Sequence, residues 1–446
     1  MKLRDLFIAS CVLAVLLGVL YWSNHRKQGE DSSVKASPDA PVKILSLNQT
    51  EIIRLVIHRR GQPQVDLSRN GSGTWQITAP MPLPADQAEV AGLLSTLSSL
   101  NSDRLLDEKA PDLAPYGLAN PSLEVDVALK GDKTEKLLIG DPTPTGNAYY
   151  VMLASDPRLF TAASYNKSNL DKSVNDLRDK RLLTADFDRV SQIELMNQKP
   201  GKQQDITFAR NKDAWQIRKP KPYRVDTDQV DALIRSLKDA KMDTASASEG
   251  ASNAATFKSA APFAIAKITE ASGTQKLEVR KRKDDYYAKS SVLSGIYKVS
   301  ANSAVSLDKS LDNFRNRKLF DFGYQVPDKL EIHDGSKSYF LTRSGSDWWG
   351  LDGKKLDEAS VQLLLSKIRE LSAEKFTDSG FTTPMLEIAV TSNDSKRIEK
   401  VYIAKGKETY IARREREPAL YELPVSSVVD LQKSAADVKP DSESKK

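Results

Sequence analysis

Residues 75–100 read WQITAPMPLPADQAEVAGLLSTLSSL, and this stretch decides the fold because it joins a strand end, a turn and an amphipathic helix. Apolar side chains in the helix recur with a 3.6-residue period, so one stripe should face a core. Asp86 precedes the stripe by four residues, where its carboxylate can cap the first turn, and Glu89 would complete a capping box. The stripe consists of Val90, Leu93, Leu94, Leu97 and Leu100.

The same arrangement occurs twice more along the chain. Asp226 and Asp357 each stand four residues before a stripe of the same type, and Gln229 is placed to form a second capping box. The stripes begin 140 residues (230 − 90) and 131 residues (361 − 230) apart, which exceeds the period of about 20 to 50 residues typical of solenoid repeats. The two further stripes are Val230, Leu233, Ile234, Leu237 and Ala240, and Val361, Leu364, Leu365, Ile368 and Leu371.

Strand patterns surround each helix in the same order. The first copy opens with the alternating run Ile53–Ile57, and every copy continues after its helix with a proline at the head of a strand. Two aromatic residues eleven positions apart then indicate a hairpin, and a tryptophan before each helix is predicted to lie in the core. These features predict an α+β fold of three tandem repeats, each an antiparallel sheet packed with an amphipathic helix. The prolines are Pro121, Pro262 and Pro384, the aromatic pairs are Tyr149 with Phe160, Tyr286 with Tyr297 and Tyr410 with Tyr421, and the tryptophans are Trp75, Trp215 and the pair Trp348 and Trp349.

The ends of the chain differ in composition from its middle. The stretch Gln28–Val42 is polar and contains Gly, Ser and Pro, as flexible linkers do, and residues 434–446 lack apolar periodicity. A length of 446 residues accommodates about three domains between these ends. The predicted organisation is a cytoplasmic N-terminus at 1–5, a transmembrane anchor at 6–22, a flexible linker at 23–43, repeats at 44–183, 184–320 and 321–433, and a disordered tail at 434–446.

The uncharged run Leu6–Trp22 is the predicted N-terminal transmembrane helix. Its seventeen residues are at the lower limit for spanning a bilayer at about 1.5 Å per residue. A cleaved signal peptide would need small residues near its end, and the Leu20–Trp22 end has none. A lipoprotein signal ending at Cys11 would leave most of the run after the modified residue. We therefore expect an uncleaved single-pass anchor with the bulk of the chain in the periplasm.

Charge and cysteine content narrow the classes of function. The net charge of +6 comes from 66 basic and 60 acidic residues, a small excess that does not indicate nucleic acid as a partner. Cys11 is the single cysteine and lies in the predicted anchor. The extramembrane part therefore has neither a disulfide framework nor a cysteine nucleophile.

Motifs of catalysis and metal binding are weak in this sequence. The histidines are His25, His58 and His333, and none has a second ligand at metal-binding spacing. Ser306 with Lys309 and Ser372 with Lys375 match Ser-x-x-Lys, but the companion motifs of penicillin-binding enzymes are missing. We expect no catalytic residue, no cofactor and no metal site.

Three basic clusters form the predicted interaction surface. They could contact phospholipid headgroups, acidic glycans or an acidic protein face. The alternative is that they are solvated edge strands, where positive charge deters aggregation. The residues are Arg218, Lys219, Lys221, Tyr223 and Arg224, then Lys281, Arg282 and Lys283, then Arg413 and Arg414.

The loop 112–121, which reads DLAPYGLANP, resembles a family of bacterial proteins, the domain of unknown function 4340. Trp75, the Asp-capped helix, Ile139 with Gly140, and Tyr149–Val151 add to the resemblance, which covers residues 44–433. The third copy keeps Ser379–Phe381 and Pro384, and the second lacks the Tyr-Gly-Leu element. The resemblance implies a membrane-anchored envelope protein, often associated with an ABC-type transporter of the kind linked to gliding-motility systems.

From the repeats, the anchor and this resemblance we predict a non-enzymatic accessory or scaffold protein of the bacterial inner membrane. Its expected partners are the membrane, through Leu6–Trp22, and an ABC-type permease or another envelope protein. The alternative is an envelope hydrolase or glycan-binding enzyme that acts from a cleft between repeats. A cleft that holds two carboxylates, or a serine and a lysine within hydrogen-bond reach, would favour that alternative.

Overall fold

The computed structural model describes residues 42–198, 203–212, 214–243 and 253–441. The chain forms two compact units, of which the first ends at Asp179 and the second begins at Lys180. In these ranges no helix is long and apolar enough to cross a bilayer. The predicted anchor Leu6–Trp22 lies outside the described residues.

The first unit contains one large antiparallel sheet and one two-stranded sheet. The large sheet has the order β5-β4-β3-β2-β8-β9-β10-β11-β7, and β1 pairs with β6. The strands are β1 (Lys43–Leu45), β2 (Ile52–Arg59), β3 (Val65–Arg69), β4 (Trp75–Ala79), β5 (Leu83–Pro84), β6 (Leu100–Asn101), β7 (Arg104–Asp107), β8 (Leu123–Leu129), β9 (Thr134–Pro142), β10 (Ala148–Leu153) and β11 (Leu159–Ala163).

The second unit contains two antiparallel eight-stranded sheets. Their orders are β15-β14-β13-β12-β16-β17-β18-β19 and β22-β21-β20-β24-β25-β26-β27-β23. The second sheet consists of β12 (Gln192–Asn197), β13 (Gln204–Asn211), β14 (Ala214–Lys219), β15 (Tyr223–Arg224), β16 (Ala261–Glu270), β17 (Gly273–Arg282), β18 (Asp285–Ser290) and β19 (Tyr297–Val299). The third consists of β20 (Lys329–Asp334), β21 (Lys337–Ser344), β22 (Asp347–Gly350), β23 (Lys375–Thr377), β24 (Leu386–Ser392), β25 (Arg397–Lys405), β26 (Tyr410–Arg414) and β27 (Leu420–Leu423).

Three long helices occur where the apolar stripes predict them, and each begins after an aspartate cap. Asp86 accepts from the N–H groups of Ala88 and Glu89, Asp226 from that of Gln229, and Asp357 from that of Ser360. Val90, Val230 and Val361 are fully buried. The helices are α1 (Gln87–Ser98), α2 (Ser164–Leu170), α3 (Val174–Leu177), α4 (Thr227–Lys238), α5 (Asn253–Ser259), α6 (Ala301–Val305), α7 (Leu311–Phe314), α8 (Glu358–Glu370) and α9 (Val425–Ala436), with a 3₁₀ turn at Ala114–Tyr116.

The predicted capping boxes are wrong for a structural reason. The N–H group that Glu89 would reach belongs to Asp86 and already donates to the carbonyl of Leu177, and the N–H of Asp226 donates to Phe314. The Gln229 side chain instead accepts a hydrogen bond from Lys309 Nζ at 2.8 Å. The backbone N–H of each cap residue therefore hydrogen-bonds the N-terminus of the helix to a segment distant in sequence.

A short basic and apolar segment precedes each large sheet, and it was not predicted from the sequence. In the first unit Val42 O accepts from the N–H of Ser102 at 2.8 Å. In the second unit Lys180 O accepts from Met242 and Arg317 O accepts from Ala373, both at 2.9 Å. Each segment thus pairs with the residues that follow a long helix. The apolar members of the three segments are buried: Ile44 and Leu45, Leu182 and Leu183, and Leu319 and Phe320.

The predicted aromatic hairpins are present in all three sheets, as β10 with β11, β18 with β19 and β26 with β27. Trp75, Trp215 and Trp348 are buried, whereas Trp349 is on the opposite side of its strand and is 37% exposed. The predicted tail begins too early, because α9 continues to Ala436 and Pro440 bridges to Leu356. Val428, Leu431 and Ala435 give this segment a buried apolar face.

Candidate functional site

Six of the ten predicted interaction residues lie at one end of the second sheet. Neighbouring strands are antiparallel, and β13, β12 and β16 separate β14 from β17, so both of these strands end at the same side. Four strand spacings of about 4.8 Å separate the two strands by about 19 Å across the sheet. Lys219 is level with Lys276, so β17 ends six residues further along and the two turns lie about 27 Å apart. The basic end of the second sheet is defined by Arg218, Lys219 and Lys221 in the first turn and Lys281, Arg282 and Lys283 in the second.

The first turn of the basic end is exposed and carries unpaired charge. Arg218, Lys219 and Lys221 are all exposed, and none of them makes an ion pair in the part of the chain that the structure describes. Pro220 follows a cis peptide bond and also lines a depression of about 590 Å³ together with Asp205. The turn therefore presents three positive charges to solvent.

The first sheet has a neutral turn at the corresponding place. Residues 78–83 read TAPMPL where residues 218–223 read RKPKPY, and Ala79-Pro80 is cis like Lys219-Pro220. Met81, at the position of Lys221, is 57% exposed. The backbone of this turn does not require basic residues, so the first sheet forms the same turn without their charge.

The second turn of the basic end is partly neutralised. Lys281 Nζ lies 5.2 Å from the centroid of the Tyr286 ring, and Lys283 has a left-handed φ of 55°. Asp284 and Asp285 follow directly, and Asp285 forms an ion pair with Lys298 at 2.7 Å. This turn contributes less net positive charge than the first.

Two of the other predicted residues, Arg224 and Arg414, lie inside an ion-pair cluster between the second and third sheets. Arg224 donates to Asp321 at 2.6 Å, and Arg414 donates to the same carboxylate at 3.0 Å and to Glu399 at 2.9 Å. Glu417 accepts from Arg224 and from the Tyr421 hydroxyl. The junction cluster, defined as Arg224, Arg397, Arg414, Asp321, Glu399, Glu417 and Tyr421, pairs three guanidinium groups with three carboxylates.

Burial and charge act in opposite directions on the acids of the junction cluster. Burial alone would raise the pKa of Asp321, but the guanidinium groups of Arg224 and Arg414 hold that pKa below its ordinary value. Burial raises the pKa of the Tyr421 hydroxyl, which Arg224 opposes and Glu417 supports. Burial would lower the pKa of Arg224, yet the surrounding anionic groups raise it. Asp321 and Arg224 are therefore oppositely charged at neutral pH and stabilise each other as counter-ions.

One strand-like segment joins the two sheets of the second unit. Phe314 O accepts from the N–H of Asp226, and Asn316 donates to Arg224 O, so this end pairs with the second sheet. Three residues on, Leu319 donates to Leu371 O, so the other end pairs with the third sheet region. The shared segment, residues 314–319, has no unpaired linker between its two halves.

Arg315 anchors the shared segment through stacking. It is 7% exposed, and its guanidinium lies 4.1 Å from the ring centroid of Tyr223 and 3.6 Å from that of Phe376. Tyr223, predicted as an interaction residue, therefore packs against the protein itself. Arg413 lies over Phe381 and Tyr402 on the outer side of β26, away from Arg414.

The described histidines and the pair Ser306 and Lys309 take part in ordinary contacts. His58 Nε2 lies 3.2 Å from Asp126, and His333 Nδ1 lies 2.9 Å from the Ser338 hydroxyl. Ser306 donates to Ser303 O while Lys309 donates to Gln229, so this serine and lysine are not partners. In the ranges that the structure covers, no three His, Cys, Asp or Glu side chains are grouped to hold a metal ion. His25 lies outside the described residues.

The loop that carries the family resemblance has a packing role. Gly117 has a left-handed φ of 68°, and a Cβ on Gly140 would lie 2.1 Å from the carbonyl oxygen of Tyr116. Tyr116 meets Tyr150 edge to face at 5.0 Å. The glycines are thus needed for close approach of the loop to β9, which explains this motif without a ligand.

The fold is that of an α+β protein built on antiparallel sheets. A model of the family described as domain of unknown function (DUF4340) matches residues 75–214 and again residues 215–387. The two matches span well over half of the chain, and the chain belongs to this family. No curated protein and no solved structure gives a significant match.

Proposed function

We propose that this protein is a membrane-anchored, non-enzymatic scaffold of the bacterial periplasm that serves an ABC-type transport system. The observation that carries the proposal is the shared segment 314–319 with the junction cluster beside it. A rigid pair of sheets is suited to holding partners at a fixed separation, whereas domains joined by a flexible linker move independently. The association with a transporter follows from the family resemblance, and the anchor from the apolar run Leu6–Trp22.

We also infer that the chain consists of three copies of one αβ unit. The three large sheets share their central strand order, and an aspartate cap starts a long helix in each. The two family matches begin at Trp75 and Trp215, which are 140 residues apart (215 − 75), as are the first two helix stripes. Repetition of one unit supplies similar surfaces at regular intervals, which suits a scaffold.

Recovery of partners from membranes tests the scaffold function. The full chain, extracted from membranes after crosslinking, should retrieve a transporter permease or another envelope protein reproducibly. A chain without residues 6–22 should retrieve neither and should leave the membrane fraction. Failure to retrieve any reproducible partner, together with hydrolytic activity on envelope glycans in the same preparation, would reject the proposal.

The contribution of the rigid junction can be tested with two neighbouring arginines. R414A removes a member of the junction cluster, and R413A removes the same side chain from the outer face of the same strand. Partner recovery should fall for R414A and stay unchanged for R413A. Equal recovery by both variants would mean that the rigid junction is irrelevant to partner binding.

A further inference from the structure

We propose that the basic end of the second sheet binds a membrane surface rich in anionic phospholipid headgroups. The inference deepens the proposed function and rests on it in one respect, which is that an anchor keeps the chain near a bilayer. The residues that carry it are the exposed turn around Lys219 and Lys221 and the neighbouring turn around Lys283.

The charge of the basic end is available to a partner. Most arginines and lysines near the junction are paired with carboxylates, whereas Arg218, Lys219 and Lys221 have no ion-pair partner in the described ranges. Each basic side chain close to an anionic leaflet strengthens binding by about fivefold. Three such residues in one turn would therefore strengthen binding on the order of a hundredfold at low salt.

The spacing of the charges in the basic end suits binding to a layer of lipid phosphates more than to one compact acidic patch. The two turns are separated by four strand spacings across the sheet and by six residues along it, about 27 Å in all, so their charges are spread over one side of the sheet. An acidic protein partner is usually met by arginine forks and aromatic anchors in a compact patch. Here the exposed residues of the first turn are mainly lysine and proline. The lysine ammonium groups act as point charges, and the prolines stiffen the loop that carries them.

The neutral counterpart in the first sheet shows that the charge is not needed for folding. Thr78, Ala79 and Met81 occupy a turn of the same length with the same two prolines. The variant R218T/K219A/K221M therefore places in the second sheet a sequence that this chain already uses. A tethered protein also needs little intrinsic affinity, because the tether supplies a high effective concentration at the bilayer.

The experiment uses the full chain reconstituted into two kinds of vesicle, one of phosphatidylcholine and one of phosphatidylcholine with phosphatidylglycerol in equal parts. A membrane-impermeant acylating reagent reports the exposure of each lysine amine, read by mass spectrometry. We expect Lys219 and Lys221 to react about tenfold more slowly on the anionic vesicles at low salt, with recovery in high salt. Lys405 and Lys407, exposed on the third sheet, are the internal controls and should react equally on both.

The variant with a neutral turn provides the second part of the experiment. In R218T/K219A/K221M the protection of Lys283 should be lost, whereas in K396Q/K405Q/K407Q, which removes three exposed lysines elsewhere, it should persist. Equal reactivity of Lys219 on both vesicles would overturn the proposal, as would protection that requires an added acidic protein. Flotation with the neutral vesicles reports the anchor separately, so failure of the anchor and failure of the lipid contact are distinguishable.

Discussion

Two groups of acidic and basic side chains in this protein have similar chemistry and different surroundings. The junction cluster lies between two sheets, with the side chains of Glu399 and Arg414 only 3% and 9% exposed. On the outer face of the first sheet, Lys136 lies 3.2 Å from both Glu124 and Asp126, but its side chain is 43% exposed. Ion pairs at similar distances should therefore contribute to the stability of the fold in the first group and hardly at all in the second.

The difference arises from the face of the sheet on which each group lies. Arg414 and Glu399 are on the inward side of β26 and β25, where the third sheet meets the shared segment. Lys136 and Asp126 are on the outward side of β9 and β8, which faces a shallow depression of about 660 Å³. Solvent screens the second group, whereas Arg414 and Glu399 in the first group are buried among the other charged side chains of the cluster.

Replacement of Arg414 by alanine should have the largest effect. It removes the buried guanidinium that pairs with Glu399 and leaves this carboxylate only the half-exposed Arg397. Removing one member of a buried pair typically destabilises a protein by about 3–5 kcal/mol. Urea unfolding of the full chain should show this loss in the transition of the second unit. R413A is the matched control, and a similar loss in both variants would contradict the distinction between buried and outer arginines.

Replacement of Asp321 by asparagine should have an intermediate effect and should alter the response to acid. Its carboxylate accepts from Arg224 and Arg414, and such charged hydrogen bonds contribute about 2 kcal/mol. Because the pKa of Asp321 is lowered in the folded protein, its contribution is present above the unfolded value of about 3.9 and is lost as the pH falls below it.

Unfolding measured between pH 6 and pH 3 tests this sign. The free energy of unfolding of the wild-type second unit should fall more steeply toward acid than that of D321N. Parallel curves for the two proteins would mean that Asp321 does not contribute to acid sensitivity.

Replacement of Lys136 by methionine should have the smallest effect. The lysine is exposed, so its pairs with Glu124 and Asp126 should contribute at most about 0.5 kcal/mol, and less in high salt. Urea unfolding at low and at high salt measures both values. A loss as large as that of R414A would show that the open face is less well solvated than its exposure indicates.

The helices and hairpins could be predicted from the sequence because their signals are local. An aspartate four residues before an apolar stripe, and two aromatics eleven residues apart, each involve short stretches of chain. The α+β class and the family followed from the order of these signals. The short segments ahead of each sheet, such as Lys43–Leu45, were missed because three residues give no periodicity.

The candidate site was predictable only in part. Arg413 and Arg414 were taken as one cluster, although neighbours in a strand point to opposite faces, and this alternation was the available signal. Asp321, Glu399 and Arg315 were not identified, because their partners lie far away in sequence and no spacing rule links them. The basic turns at Lys219 and Lys283 were identified from composition, but the strand order was needed to show that both lie on the same side of the sheet.

The number of residues in the shared segment 314–319 sets the distance between two sheets. Its first half is hydrogen-bonded to one sheet and its second half to the next, and no residue lies between Asn316 and Arg317 to act as a linker. One inserted residue would turn every following side chain to the other face, so either Arg315 or Leu319 would leave its packed position. Loops at the hairpin tips can change in length without this consequence. The length of the shared segment is therefore constrained, whereas the lengths of these loops are not.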